Sequence, residues 1–186
     1  MHHTLKFYNQ NRQYILKFYM FFASGTRLPL VGRLVRNIAN AYGRSQHHAY
    51  LLAPAEAEEL LTLAGGIAQA TCTCRKIYQK CRHPQDNELL LAPSQHILLE
   101  TMPHDAKEIT QEKATEILQE SRRRGLVLTI LKCRNDYYAI CSCCTCCCVP
   151  LRLSKRYGIG EAVVQHKDII KEFKEYVAAQ RAIHPD

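Results

Sequence analysis

The chain has 186 residues, 47% of them apolar, with ten Cys, three Met and no Trp, which suits one domain with a true core and excludes wholesale disorder. The net charge is +8, but residues 1–55 hold Lys6, Arg12, Lys17, Arg27, Arg33, Arg36 and Arg44 and no acid, so the excess is a basic N-terminal segment on a near-neutral body. Cys at about 5% falls below the ~8–10% of small disulfide scaffolds, and six of the ten crowd between Cys141 and Cys148, where vicinal neighbours are poorly placed to bridge one another.

Residues 4–23 predict a helix, with Leu5, Tyr8, Ile15, Phe18, Tyr19 and Phe22 on its apolar stripe. The stripe is interspersed with basic residues, so peripheral membrane contact is one expectation, and packing on the protein's own body is the other. Phe18–Ala23 is too short for a secretion signal, and no window reaches the ~18 apolar residues of a membrane span. The expected compartment is the cytoplasm. Pro29 predicts a second helix from Leu30 to Tyr42, with Leu30, Leu34, Val35 and Ile38 on one face and Gly43 closing it.

Pro54 starts a third helix, its early acids favoured by the helix dipole, and Gly65-Gly66 ends it. Ile67 to Cys74 reads as a strand with Cys72 and Cys74 on one face. A polar loop, 79–87, carries Cys81 and His83, and two short strands are expected at 88–91 and 95–100. Thr110 caps a helix that runs to Arg124 and stops at Gly125. Leu126–Lys132 and Tyr137–Ser142 predict a hairpin turning at Asn135-Asp136 and leading into the cysteine string. A weak strand, 161–166, and a final amphipathic helix capped by Asp168 close the chain.

The string reads Cys141-Ser-Cys-Cys-Thr-Cys-Cys-Cys148. Thiolates select iron–sulfur clusters, zinc and cuprous copper. Cys141, Cys144 and Cys147 give C-x2-C-x2-C, the first three positions of a bacterial ferredoxin run, but Leu151 stands where the fourth Cys would be. The missing ligand must come from Cys72, Cys74, Cys81 or Cys133. Cys143 with Cys146 is a second C-x2-C, a zinc-like knuckle that His83 or His104 could complete. Neighbours in extended chain point opposite ways, so six thiolates cannot easily meet at one ion. Either the loop lies between two metal centres, or some thiols are spare and redox-active. Cys133 has the character of a small buried hydrophobe. Arg75, Lys76, Lys80, Arg82, Arg152, Lys155 and Arg156 flank the two cysteine groups and could offset thiolate charge or form a docking surface.

The segment Gly125-Leu-Val, then Tyr138-Ala-Ile-Cys-Ser-Cys-Cys-Thr-Cys-Cys-Cys-Val-Pro-Leu-Arg152 and Tyr157-Gly-Ile-Gly160, resembles a family of Cys-rich iron–sulfur proteins of anaerobic bacteria and archaea that carry the name ferredoxin. That family's hallmark is C-N-C-C-x-C-C-C followed by Y-G. Cys72-Thr-Cys-Arg75 with Cys81 is similar to its C-x-C-R…C element, and the likeness spans roughly residues 28–175. Ser142 departs from the usual Asn.

The expected fold is α+β. A basic helical N-terminal region, 1–53, precedes a Cys-rich iron–sulfur domain, 54–186, with a small, mostly antiparallel sheet and covering helices. The expected function is binding of an iron–sulfur cluster, 4Fe-4S favoured, for electron transfer or redox sensing with a redox partner protein. Cys72, Cys74, Cys81, Cys141, Cys143, Cys144, Cys146, Cys147 and Cys148 are the candidate cofactor-binding residues. Cys72, Cys74, Cys81, Cys141, Cys144 and Cys147 are the expected metal ligands. The alternative is a zinc-stabilised module whose basic region binds nucleic acid or a partner protein. No phosphate loop, nucleophile elbow or H-E-x-x-H points to an enzyme.

Overall fold

The computed structural model describes residues 3–92, 94–102 and 105–183. His104, a sequence candidate for a zinc ligand, lies outside them. Along the chain run helices α1 (His3–Ser24) and α2 (Gly32–Ser45), strand β1 (His47–Leu51), α3 (Pro54–Ala64), β2 (Ile67–Thr71) and α4 (Thr73–Tyr78). Then come β3 (Asp86–Leu91), α5 (Gln95–Thr101), β4 (Ala106–Ile109), α6 (Gln111–Arg123), β5 (Val127–Cys133) and β6 (Asp136–Cys143). The chain ends with α7 (Val149–Tyr157), β7 (Val164–Gln165) and α8 (Ile169–Ile183). The fold is α+β, as expected.

The seven strands form one sheet in the order β4-β2-β3-β6-β5-β1-β7, antiparallel except for the β1–β7 pair. β1 belongs to the basic N-terminal region, yet it pairs along its whole length with β5 and so ties that region into the sheet. One face of the sheet carries α3, α6 and α8 over Leu60, Leu61, Leu118, Ile140 and Phe173. The other carries α1, α5 and α7 over Leu5, Leu90, Leu98, Tyr138 and Leu151. Both clusters bury apolar side chains, the burial that dominates folding free energy.

Local signals set several boundaries. Gly65 ends α3 at φ 77°, a left-handed position that a Cβ disfavours. Thr110 Oγ1 accepts a hydrogen bond from the Lys113 N–H at the start of α6. In the central hairpin, Leu131 pairs with Ala139 and Lys132 with Tyr137, leaving Tyr138 as the extra residue of a bulge. From Ala139 on, alternation sends Ile140 to the first core and Cys141 and Cys143 to the second.

Four expectations are corrected. Cys72 and Cys74 are not on a strand: β2 stops at Thr71, Cys72 caps α4 and Cys74 lies in its first turn. Residues 95–101 form a helix that buries the neighbours Ile97 and Leu98, which a strand would send to opposite faces. The buried side of α1 is Leu5, Tyr8, Asn9, Arg12, Leu16, Met20 and Ala23, while Phe7, Tyr14, Phe18 and Phe21 form an exposed stripe on the opposite side. α2 begins at Gly32, its Leu34 and Ile38 are exposed, and Gly43 lies inside it against Glu161 rather than closing it.

Candidate metal centre

The cysteine string passes through two kinds of backbone. Cys141 and Cys143 end β6, residues 145–147 make a turn, and Cys148 caps α7, with Pro150 in its first turn. The turn brings vicinal Cys146 and Cys147 to one side, which a strand could not do. Across from it, Gln79 ends α4 at φ 45° and swings the chain back. The Lys80 N–H then lies 3.2 Å from Cys147 Sγ, and Cys81 Sγ stands 3.7 Å from both Cys144 Sγ and Cys147 Sγ.

The Sγ atoms of Cys81, Cys144, Cys146 and Cys147 all lie within 4.8 Å of one another, and no other such set of donors occurs among the described residues. Four thiolates at 2.3 Å from a tetrahedral ion stand about 3.8 Å apart. The quartet therefore has the spacing of a single thiolate-bound metal ion. It packs with Leu126 and Tyr78. Arg152 lays its guanidinium 4.4 Å over the Tyr78 ring, and its buried Nε and Nη1 have no hydrogen-bond partner. Arg152 thus holds a positive charge over a ring that borders the quartet.

Burial opposes ionisation of Cys144, but hydrogen bonds from the Cys146 thiol, the Cys147 N–H and Arg75 outweigh it and hold the thiol at about 7. Burial, then the neighbouring Cys144 and Cys81 thiols, pushes Cys146 up to about 12. Burial also raises Cys147. A dication would draw all four to thiolate, because its charge repays their desolvation.

The remaining five members of the two cysteine groups stand apart from the quartet. Along Cys72, Cys74, Cys148, Cys143 and Cys141, each thiol is near enough to the next to shift its ionisation. Contacts from Cys148 and Cys72 lower Cys74 well below its ordinary value, and contacts from Cys141 and Cys148 do the same for Cys143. The Val149 N–H, at the start of α7, lies 3.5 Å from Cys74 Sγ. Two vicinal steps, 143–144 and 147–148, each place one Cys in either group. Neither C-x2-C register is kept together: Cys144 and Cys147 join the quartet without Cys141, and Cys146 joins it without Cys143. Of the expected metal ligands, Cys72, Cys74 and Cys141 fall in the second group. Cys133 lies in the α1-side core, and burial raises its thiol to about 12.

Charged residues bind the two groups together. Arg75 is buried; Nη1 donates to the Pro84 carbonyl at 2.7 Å and to Asn87 Oδ1, and Nη2 donates to the Ser142 carbonyl. It therefore clamps the 79–85 loop to the end of β6. Arg12 of α1 reaches Glu88 of β3 at 2.6 Å, and both are buried. The sequence reading missed this pair. The only sequence signal is an acid heading the apolar run Glu88-Leu-Leu-Leu91 of a central strand.

Comparison of the chain with protein-family models, curated proteins and solved structures finds no match. The helices among the described residues include none long and apolar enough to cross a membrane.

Proposed function

We propose that this chain is an iron–sulfur protein that transfers electrons or senses redox state through a partner protein. The observation that carries the reading is the thiol arrangement. Nine cysteines from two distant segments gather into two groups linked through Cys143-Cys144 and Cys147-Cys148, whereas a structural zinc site needs four. Crowded thiols without a bound metal would repel one another once ionised. Buried Arg75 lies beside Cys72, Cys143 and Cys144 and offsets anionic charge, which is one way a protein raises the reduction potential of a thiolate-bound centre. The resemblance of Cys141–Cys148 to the Cys-rich ferredoxin-named proteins favours a 4Fe-4S cluster.

A second reading has a specific observation in its favour. The 3.7 Å sulfur spacings at Cys81 suit tetrahedral zinc as well as iron. On that reading the quartet is structural, and the basic N-terminal region contacts nucleic acid or protein.

Metal and acid-labile sulfide analysis, with a visible spectrum, on protein purified without oxygen separates the two. Iron with comparable sulfide and broad visible absorption is the expected result. Stoichiometric zinc without sulfide overturns the redox reading and leaves the binding module.

A further inference from the structure

We infer that Cys72, Cys74, Cys141, Cys143 and Cys148 form a second metal centre, and that this centre, not the quartet, takes the polynuclear iron–sulfur cluster. The inference rests on the iron–sulfur reading and deepens it by assigning each thiol group its own kind of metal.

Reach decides the assignment. Two sulfurs bound to one ion at 2.3 Å can stand at most about 4.6 Å apart. The quartet meets that limit closely, with all its sulfurs inside 4.8 Å. Among the described residues no three of the five remaining sulfurs lie mutually within 4.8 Å, although all five cysteines line one cavity. Their donors come from the start of α4, the end of β6 and the start of α7, three elements that fix them at separate points. One ion cannot gather such a set. Several metal ions bridged by sulfide can, because the ligands then bind different ions.

Space and charge agree. The five cysteines line a cavity of about 570 Å3 between α1 and the sheet, together with Arg12. The quartet contributes only Cys144 to that wall. A cluster with several thiolates is anionic, and the cations held against this group are buried ones. Arg12 Nε and Arg75 Nε are buried donors without a hydrogen-bond partner, and both side chains line the cavity. The Val149 N–H and the Thr129 hydroxyl each stand 3.5 Å from a cysteine sulfur of this group. Such donors are the usual means by which a protein stabilises and tunes cluster sulfur.

Two single variants test the assignment. Cys72 and Cys146 are both half-buried, one in each group, so each tolerates truncation. The full chain is purified without oxygen as wild type, Cys72→Ala and Cys146→Ala. Iron, zinc and sulfide are counted, and electron paramagnetic resonance is recorded after reduction. Cys72→Ala is expected to lower sulfide several-fold or change the cluster signal while one metal ion per chain persists. Cys146→Ala is expected to lose that one ion and keep sulfide and signal. The Cys74→Ser/Cys143→Ser pair, checked for folding by circular dichroism, should abolish sulfide. The reverse pattern, with sulfide following Cys146, overturns the assignment while leaving the iron–sulfur reading intact. Wild type without sulfide overturns both.

Discussion

The quartet and the five-cysteine group use one residue type and share two peptide bonds, yet they differ in what holds the donors. The quartet stands on a turn and an irregular loop, where backbone dihedrals are free enough for four sulfurs to converge, and Cys81 and Cys146 remain half-buried. The other group stands on regular structure. Cys141 and Cys143 are two residues apart on β6, and a strand rises about 3.3 Å per residue, so their spacing is set by the sheet. Turns gather ligands to a point, while strands and helix starts array them around a space. That space is closed by α1, whose buried Arg12 meets Glu88 behind the sulfurs.

The largest expected effect comes from breaking that ion pair. Arg12→Ala leaves Glu88 buried without its partner, and loss of one member of a buried pair costs about 3–5 kcal/mol. Chemical denaturation should show it. The joint replacement Arg12→Met/Glu88→Leu should recover most of the loss, since apolar residues of similar size fill such sites well. If the pair matters only for folding, the double variant keeps the metal content of the wild type. If Arg12 also balances cluster charge, the double variant stays stable but loses iron. The Cys81 quartet, with Arg152 and Tyr78 beside it, should be indifferent to both changes.

Acid should strike the α1 side next. Burial, then Arg12 and His48, lowers His47 to about 4, with the Tyr19 and Tyr42 hydroxyls 3.3 and 3.2 Å from its Nδ1. The folded pKa lies below the unfolded value near 6.5, so the unfolded chain binds the proton first. Its contribution is therefore full above about pH 6.5 and is lost as pH falls toward 4, by at most about 3 kcal/mol at 1.36 kcal/mol per pKa unit. Denaturation curves between pH 7 and 4 on wild type and His47→Gln check it. The variant should lose less stability over that interval, and equal slopes would place the acid sensitivity elsewhere.

The same division separates what the sequence reveals from what it hides. Pro54, Gly65, Thr110 and Gly125 mark the ends of α3 and α6 because caps are local chemistry. The β5–β6 hairpin is legible from its two apolar runs, and the joining of the Cys72–Cys81 segment to the cysteine string follows from counting ligands. The partition of the string is not legible. It depends on where β6 gives way to a turn, and C-x2-C spacing crosses that point. α4 has only six residues, so it carries no periodicity to oppose a strand reading of Cys72 and Cys74. β1 and β4 are short and contain His and Lys, and their sheet partners, not their own composition, make them strands.

A smaller effect is expected at the start of α2. A Cβ on Gly32 would lie 2.3 Å from the Thr26 carbonyl oxygen, a backbone atom that cannot rotate away. Gly32→Ala must shift the start of α2, at a cost of about 1–3 kcal/mol in line with overpacking elsewhere. Thermal unfolding should show that loss, and iron content should hold, because Gly32 lies on α2, away from every sulfur donor.

Cys133 provides the smallest effect and the sharpest contrast. It is fully buried like Cys147 and shares the α1-side core with Cys141, Cys143 and Cys148, yet it does not line the cavity that they line. Burial dominates its raised thiol and no other cysteine bears on it, so among the described residues it joins no set of metal donors. Its sulfur fills space in the α1-side core. Cys133→Ala should cost about 1 kcal/mol for the small void it leaves, with metal, sulfide and spectrum unchanged. The same exchange at Cys147 should remove the quartet's ion. If Cys133→Ala instead altered the metal content, burial and neighbours would not be what divides structural from ligating cysteines in this fold.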